Sequence, residues 1–337
     1  MTKVKYASFI NLKYKPKSTD LVCQFKITPA KGYDFKEVCS ITAGESSVGT
    51  WTEIKTVNKK TQRKIIPKVY YLDKKNLRCR IAYPIDLFEL GNLPEILSSV
   101  GGNIYGMKSV KGILWEDVKI PEKMLKSFKG PQFGIKGIRK YLKVYDRPLV
   151  GTIVKPKVGL NPREHAKVAY DSWVGGCDIV KDDENLTSQP FNNFYKRIKF
   201  VEKNGGNYIM LDILTLGWSA LQKAREVTKL PIHAHRAGHA MFDRTPNHGM
   251  KMEVIAQFAR MIGVDTLHIG TAYGKMTGGK DEVLHIEQEI EQQATKQTKE
   301  NLSQKWKIKY LAQLCQNNIN LSHIQLKYIA NVYIFIS

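Results

Sequence analysis

From residue 147 the sequence repeats one rhythm: a short apolar run, a polar or glycine-bearing loop, then a longer segment with helical spacing. "PLVGTIVKPKVGL" reads as a strand entering a loop, and "NPREHAKVAYDSWVGG" as the next helix, with Asn161 as N-cap and Pro162 at its first position. "CDIVKDDE", "NYIMLDIL", "LPIHAHRAG" and "VDTLHIGTAYGK" read as further strands. Between them "FNNFYKRIKFVEKNGG", "GWSALQKAREVTK" and "HGMKMEVIAQFARMIG" read as helices. Near-continuous apolar strands alternating with helices indicate a parallel α/β domain. In such folds the polar residues at the C-terminal ends of strands build the site. Lys155, Lys181, Asp183, Glu184, His235 and His268 all stand at such ends.

The first 135 residues have another texture. "DLVCQFKITPA" alternates like a strand, and "DFKEVCSITAGE" reads as a helix ending near Gly44. "KVYYLDKKNLRCRIAYPIDLF" reads as two strands around a polar turn at Asp73 to Asn76, and "LPEILSSVGG" as a short helix closed by glycines. These predict an α+β domain with an antiparallel sheet. "FKGPQFGIKGIRKYLKVYDRP" reads as a connecting segment.

Composition narrows the partners. A formal charge of +22 suits an anionic substrate, but the basic residues are mostly lysines spread along the chain, without a basic block or a nucleic-acid module. Nucleic acid is therefore not expected as a partner. No stretch reaches the roughly 18 apolar residues of a membrane span, so the expectation is a cytoplasmic protein with no membrane partner. The five cysteines are scattered and form no CxxC pair, which argues against a disulfide framework or a thiolate metal site.

"KDDE", residues 181 to 184, sets the chemical problem. Asp183 and Glu184 are oxygen donors suited to a hard cation such as Mg²⁺. Lys181 beside them is expected to stay protonated, because acids raise a lysine pKa. Reaching neutrality near pH 7 requires a fall of roughly three units, about 4 kcal/mol. A bound cation or nearby lysines help to supply that shift. A neutral amine adds CO2 to form a carbamate, which turns Lys181 from a cation into a third oxygen ligand.

These stretches closely resemble the large subunit of ribulose-bisphosphate carboxylase/oxygenase (rubisco), with wording most like the archaeal branch. The resemblance rests on "GTIVKPKVGL", "GGCDIVKDDENLTSQPF", "HAHRAGHAMFDRTPNHGM" and "LHIGTAYGKMTGG", and in the first domain on "AGESSVGTWTEI" and "GGNIYGM". It implies an N-terminal α+β, ferredoxin-like domain (1–135) followed by a (β/α)8 TIM-type barrel. It implies that Lys181 carries the CO2 carbamate and joins Asp183 and Glu184 around Mg²⁺. Lys155 would be the base of the first enolisation, with Lys157 beside it, and His235 would serve later proton transfers. Arg236 and His268 would hold one phosphate of ribulose 1,5-bisphosphate, and Lys275 would sit at the tip of a mobile loop over CO2. Glu45, Thr50, Trp51 and Asn103 would complete a neighbouring subunit's site, making the catalytic unit a homodimer or a multiple of dimers. The implied reaction is carboxylation to two 3-phosphoglycerates, with O2 as the substrate of a side reaction, and the archaeal likeness points to AMP or nucleoside salvage.

The chain departs from that pattern twice. Glu184 and His235 are 51 residues apart, about two β/α units where the family has three. Strand three and parts of its flanking helices are expected to be absent, ~40 residues or one unit of a βαβ motif. Residues 281–337 contain no Gly and no Pro, although the whole chain has 25 and 13, and the family's phosphate-binding Gly stretches belong there. The expected layout is an incomplete barrel over 136–306 and a divergent tail over 307–337, with a frameshift near Trp306. Five strands do not close an eight-stranded barrel. Two rivals to the carboxylase therefore stand: a non-catalytic rubisco remnant, and a rubisco-like enolase or isomerase. The presence of Lys155, Lys181 and Lys275 argues against the second.

Overall fold

The computed structural model describes residues 9–49, 58–206, 208–270, 279–298 and 301–306, and the backbone of 312–314 and 333–335. The chain begins with β1 (Leu21–Pro29), α1 (Phe35–Glu45), α2 (Lys59–Ile65), β2 (Lys68–Asp73), β3 (Arg78–Tyr83), α3 (Leu93–Gly101), β4 (Val110–Lys119) and α4 (Glu122–Leu125). It continues with α5 (Gly134–Leu142), β5 (Leu149–Ile153), α6 (Pro162–Val174), β6 (Ile179–Lys181), α7 (Phe194–Lys203), β7 (Ile209–Asp212), α8 (Trp218–Val227) and β8 (Ile232–His235). Then follow α9 (Ala240–Asp243), β9 (Gly249–Met250), α10 (Met252–Ile262), β10 (Thr266–His268), α11 (Lys280–Glu291), β11 (Ala294–Thr295), β12 (Gln304–Lys305), β13 (Ala312–Leu314) and β14 (Tyr333–Phe335). The chain divides into two compact units. The first comprises Met1–Lys129, His239–Met261 and Gln292–Ile308, and the second comprises Gly130–Gly238, Ile262–Glu291 and Lys309–Ser337.

The first unit is built on a five-stranded sheet in the order β2-β3-β1-β4-β9. β1 is antiparallel to both β3 and β4. On one face Phe25 of β1 meets Trp115 of β4, and Trp115 in turn meets Phe258 of α10 edge-on, with ring centroids 5.5 Å apart. On the other face Val22 and Ala82 pack with Leu302. Covering both faces removes the alternation that marks a half-exposed strand, and β4 also buries Glu116 and Asp117. Glu116 accepts from Arg78 at 2.8 Å, and Asp117 accepts from the Leu302 amide at 2.6 Å and from Gln257 at 2.9 Å. Such a strand, charged in sequence yet central in the sheet, escapes a pattern search. Beyond the parallel strands, Ala294–Thr295 and Gln304–Lys305 pair antiparallel as β11 and β12. Trp306 is buried and Arg260 lies over its ring.

The second unit carries the predicted β/α alternation. The segment expected to connect the domains holds α5, because Phe133, Ile135, Ile138 and Leu142 pack on Leu149, Ile153 and Ile179. β5 and β6 are parallel, as are β7 with β8 and β8 with β10. These strands lie in two sheets, ordered β14-β5-β6 and β13-β10-β8-β7. Among the described residues β6 and β7 do not pair, and no closed barrel forms. The tail enters both sheets: β13 runs parallel to β10, and β14 runs antiparallel to β5 with Tyr333 opposite Gly151. A fully buried ion pair between Arg225 and Asp265, at 2.7 Å, joins α8 to the turn before β10. The remaining oxygen of Asp265 accepts from the Phe133 amide at 2.7 Å, so the pair also anchors the entry to α5.

Candidate active site

The strand ends of the second unit gather the residues singled out in the sequence. Lys155 follows β5, Lys181 closes β6 with Asp183 and Glu184 after it, His235 closes β8, and His268 closes β10. The register sets Ile153 opposite Lys181 on the parallel pair, so the two lysine-bearing loops leave the sheet side by side. α6 follows the first loop and begins with a full capping box between Asn161 and Glu164, as the Asn161-Pro162 start predicts.

The electrostatics converge on the buried Asp183 carboxylate. Lys155 Nζ donates to its Oδ2 at 2.7 Å. Lys157 Nζ lies 3.6 Å from Asp183 Oδ1 and 3.6 Å from Glu184 Oε1. Two carboxylates thus turn toward one point of positive charge. Lys181 Nζ donates to the carbonyl of Asp182 at 3.0 Å and lies 3.7 Å from Met210 Sδ. Burial pushes its pKa down to about 8, and the charge of Lys155 adds to the fall against the upward pull of Asp183 and Glu184. The sequence sought this shift in a cation and neighbouring lysines. The larger cause is desolvation, which no local spacing reveals.

On the β7–β8 side, Asp212 Oδ2 lies 3.2 Å from His235 Nδ1 and accepts the Ala237 amide at 2.7 Å. Asp212 therefore fixes the ring and leaves Nε2 facing Glu184 Oε2 at 3.9 Å. Burial would raise the Asp212 carboxyl, but His235 and three backbone amides hold it below the usual range. The His268 ring meets that of His235 edge-on at 5.0 Å, and burial keeps His268 neutral by pushing its pKa well down. Arg236 is buried and reaches Glu282 of α11 at 3.5 Å. Gly270, with φ of +113°, lets the backbone pass this guanidinium: a Cβ there would stand 2.5 Å from Arg236 Nη2.

In the first unit Asn103 Nδ2 donates to Glu45 Oε1 at 3.3 Å, so two of the four residues assigned to a neighbouring site are brought together. Thr50, Trp51 and Lys275 lie outside the described residues. Four residues of the second unit were not singled out in the sequence: Asp212, and Asp182 with its partners His165 and Arg197. Asp212 carried a signal, the acid that ends "IMLD". The other three carried none beyond the run of acids.

The donor set fits a hard dication only in part as it stands. Among the described residues no three carboxylates, imidazoles or thiolates cluster as a ready-made ion site. Asp183 and Glu184 already converge on the Lys157 ammonium, and Lys181 as a carbamate would add the third anionic donor.

A family model for the N-terminal domain of the ribulose bisphosphate carboxylase large chain matches residues 8–124. The model for the catalytic domain of the same chain matches residues 134–204 and 192–313. The ribulose bisphosphate carboxylase of Methanosarcina mazei is 43% identical over 340 residues, covering 89% of this chain and 79% of that protein. That of Methanocaldococcus jannaschii is 43% identical, covering 84% and 76%. In three dimensions the chain is similar to the dimeric archaeal Rubisco from Hyperthermus butylicus, with a TM-score of 0.84, 38% identity, and 91% and 81% of the two chains covered. The octameric Rubisco of Pyrococcus horikoshii gives 0.80 at 38% identity, with 91% and 80% covered. The 89% of this chain matched by the M. mazei protein is about 300 residues, about 40 fewer than the 340 positions the alignment spans. The two catalytic-domain matches overlap over 192–204, which spans α7, and the sheet divides on either side of that helix, between β6 and β7.

Proposed function

Because this chain belongs to the family of ribulose bisphosphate carboxylase large chains, we propose that it adds CO2 to ribulose 1,5-bisphosphate, yielding two 3-phosphoglycerates. The observation that carries the reading is the convergence of Asp183 and Glu184 on one ammonium, beside a lysine whose pKa burial lowers to about 8. A neutral Lys181 amine attacks CO2, its nitrogen forms the new bond to carbon, and one proton leaves to solvent. The carbamate then replaces a buried cation with an anion among the acids. Mg²⁺, held by Asp183, Glu184 and that carbamate, would supply the positive charge that polarises the substrate carbonyl.

The other residues take the roles their geometry suits. Lys155, which stands 2.7 Å from Asp183 Oδ2, would take the proton from C3 of the substrate as a neutral amine. His235 moves a later proton at Nε2, its Nδ1 side being held by Asp212. Arg236 offers a planar donor fork to a phosphate, and neutral His268 a single N–H. Lys275 would close over CO2, and Lys157 would reach the substrate. Glu45 and Asn103, with Thr50 and Trp51, would complete the site of a partner in a homodimer or a multiple of dimers. O2 would serve as the substrate of a side reaction, in a cytoplasmic salvage of nucleotides.

A second reading, the non-catalytic remnant, is favoured by the seam between β6 and β7, which do not pair with one another among the described residues. We read the gap of about 40 alignment positions as the third β/α unit of the barrel, and residues 307–337 as a divergent tail that begins at a frameshift near Trp306. A downstream reading frame encoding Gly-rich phosphate-binding segments would support a frameshift there. Incorporation of 14CO2 into 3-phosphoglycerate, with Mg²⁺ and ribulose bisphosphate and a Lys181→Ala control, separates the readings. Product from the wild-type chain alone supports the carboxylase. A soluble, folded chain without product supports the remnant.

A further inference from the structure

The three acids after Lys181 do two different things. The partners divide them: Asp183 and Glu184 face Lys155, Lys157 and His235, while Asp182 points to the helices. There His165 of α6 places Nε2 2.7 Å from Asp182 Oδ1, and Arg197 of α7 donates its Nε to Oδ2 at 3.0 Å. Both partners are almost wholly buried, at 2% exposure each.

Arg197 does more than pair with one acid. Its Nη1 donates to the carbonyl of Thr187 at 2.8 Å and to Asn192 Oδ1 at 3.0 Å, and its Nη2 reaches the Leu186 carbonyl at 3.4 Å. Asn192 in turn donates to the Leu160 carbonyl at 2.9 Å, in the loop that follows Lys155 and Lys157. One guanidinium therefore grips the loop after β6 at its start, middle and end, and through Asn192 ties it to the loop after β5. β6 itself is three residues long and has one strand partner among the described residues, β5. A ligand segment of this kind is not held from its second side by a sheet ladder. The grip from the helices is what remains.

We infer that Arg197, with His165, is a positioning residue for the Lys181–Glu184 segment, acting through Asp182. This rests on the reading of that segment as a carbamate and Mg²⁺ site, and its mechanical part stands without it. Removing a partner that orients a ligand shell costs about 10- to 100-fold in metal affinity. Arg197→Lys keeps the charge but loses the fork, and Asp182→Asn keeps the shape but loses the charge.

Two measurements test the inference. The first is hydrogen exchange of the peptide spanning 182–193 in full-length protein. Arg197→Lys should speed it about tenfold or more, with β8 and α8 unchanged. Unchanged exchange in a folded variant overturns the positioning role, whatever the site binds. The second is the ¹³C signal of the carbamate, titrated with ¹³CO2 and Mg²⁺. Both variants should need about 10- to 100-fold more Mg²⁺ for half-formation at a melting temperature close to wild type. A purely structural residue would lower the melting temperature and leave that midpoint in place, which also overturns the inference. A wild-type chain with no carbamate signal refutes the site reading alone, and the exchange result then decides the positioning role by itself. If Arg197→Lys does not fold, Asp182→Asn carries both measurements.

Discussion

The two units of this chain solve the same problem of covering a sheet and arrive at different degrees of closure. In the first, β1 and β4 have neighbours on both edges, and Phe25, Trp115 and Phe258 stack through the core between β1 and α10. In the second, five parallel-type strands fall into two sheets that part between β6 and β7. The charges that converge at strand ends, Lys155, Lys157, Asp183, Glu184, Asp212 and His235, belong to the less closed unit, whereas the shifted carboxyl of the first unit, Asp117, is tied down by the Leu302 amide and Gln257. The two units thus differ in closure, and local stability should differ with it.

The largest effect expected from that contrast is in the first unit. Trp115→Ala leaves a cavity between β1 and α10 and should cost about 3–5 kcal/mol in denaturant unfolding. A loss near 1 kcal/mol would mean that this core is no better packed than the second unit. Next, amide exchange should differ between the sheets. β1 and β4 should open only with global unfolding, and β6 and β7 about a hundredfold more readily. Equal protection on both would show that the seam is closed in solution and would break the comparison.

A subtler effect concerns Lys181, whose pKa falls from 10.5 to about 8. Between those values the unfolded chain retains a proton that the folded chain has released, so stability should rise as pH rises from about 8 to 10.5. The neutral amine becomes available over the lower part of that window. Carbamate yield at fixed dissolved CO2 should show its midpoint near pH 8, and a midpoint near 10.5 would place Lys181 in open solvent. The smallest effect is a control. Lys167 and Asp171 form an exposed i,i+4 pair on α6, and Lys167→Ala should change the melting free energy by less than about 0.5 kcal/mol.

Much of this architecture was legible because its signals are local. The capping box of α6, the turn between β2 and β3, and the placement of Lys155, Lys181, His235 and His268 at strand ends follow from spacing of a few residues. What escaped depends on contacts distant in sequence. β4 hid because both its faces are covered and its acids find partners from Arg78 to Leu302. α5 hid because its apolar residues are interrupted by Gly and Lys, and the surface they pack on includes Leu149, Ile153 and Ile179 from beyond the segment. The depressed Lys181 pKa comes from burial by the whole unit. In "KDDE" three acids look alike, and only the helices beyond them assign Asp182 to Arg197 and leave Asp183 for the lysines.

The parallel pairing of β5 with β6, and of β7, β8 and β10 with one another, has one more consequence. A strand followed by its return helix brings the chain back to the end of the sheet where it started, so each such repeat is a closed loop of travel. The count of repeats then sets the circumference, while the end at which every loop emerges stays the same. That is why Asp212 and His235 still face the side where Lys181 and Glu184 leave their strand, at 3.9 Å between His235 and Glu184, although the two sheets that carry them do not join.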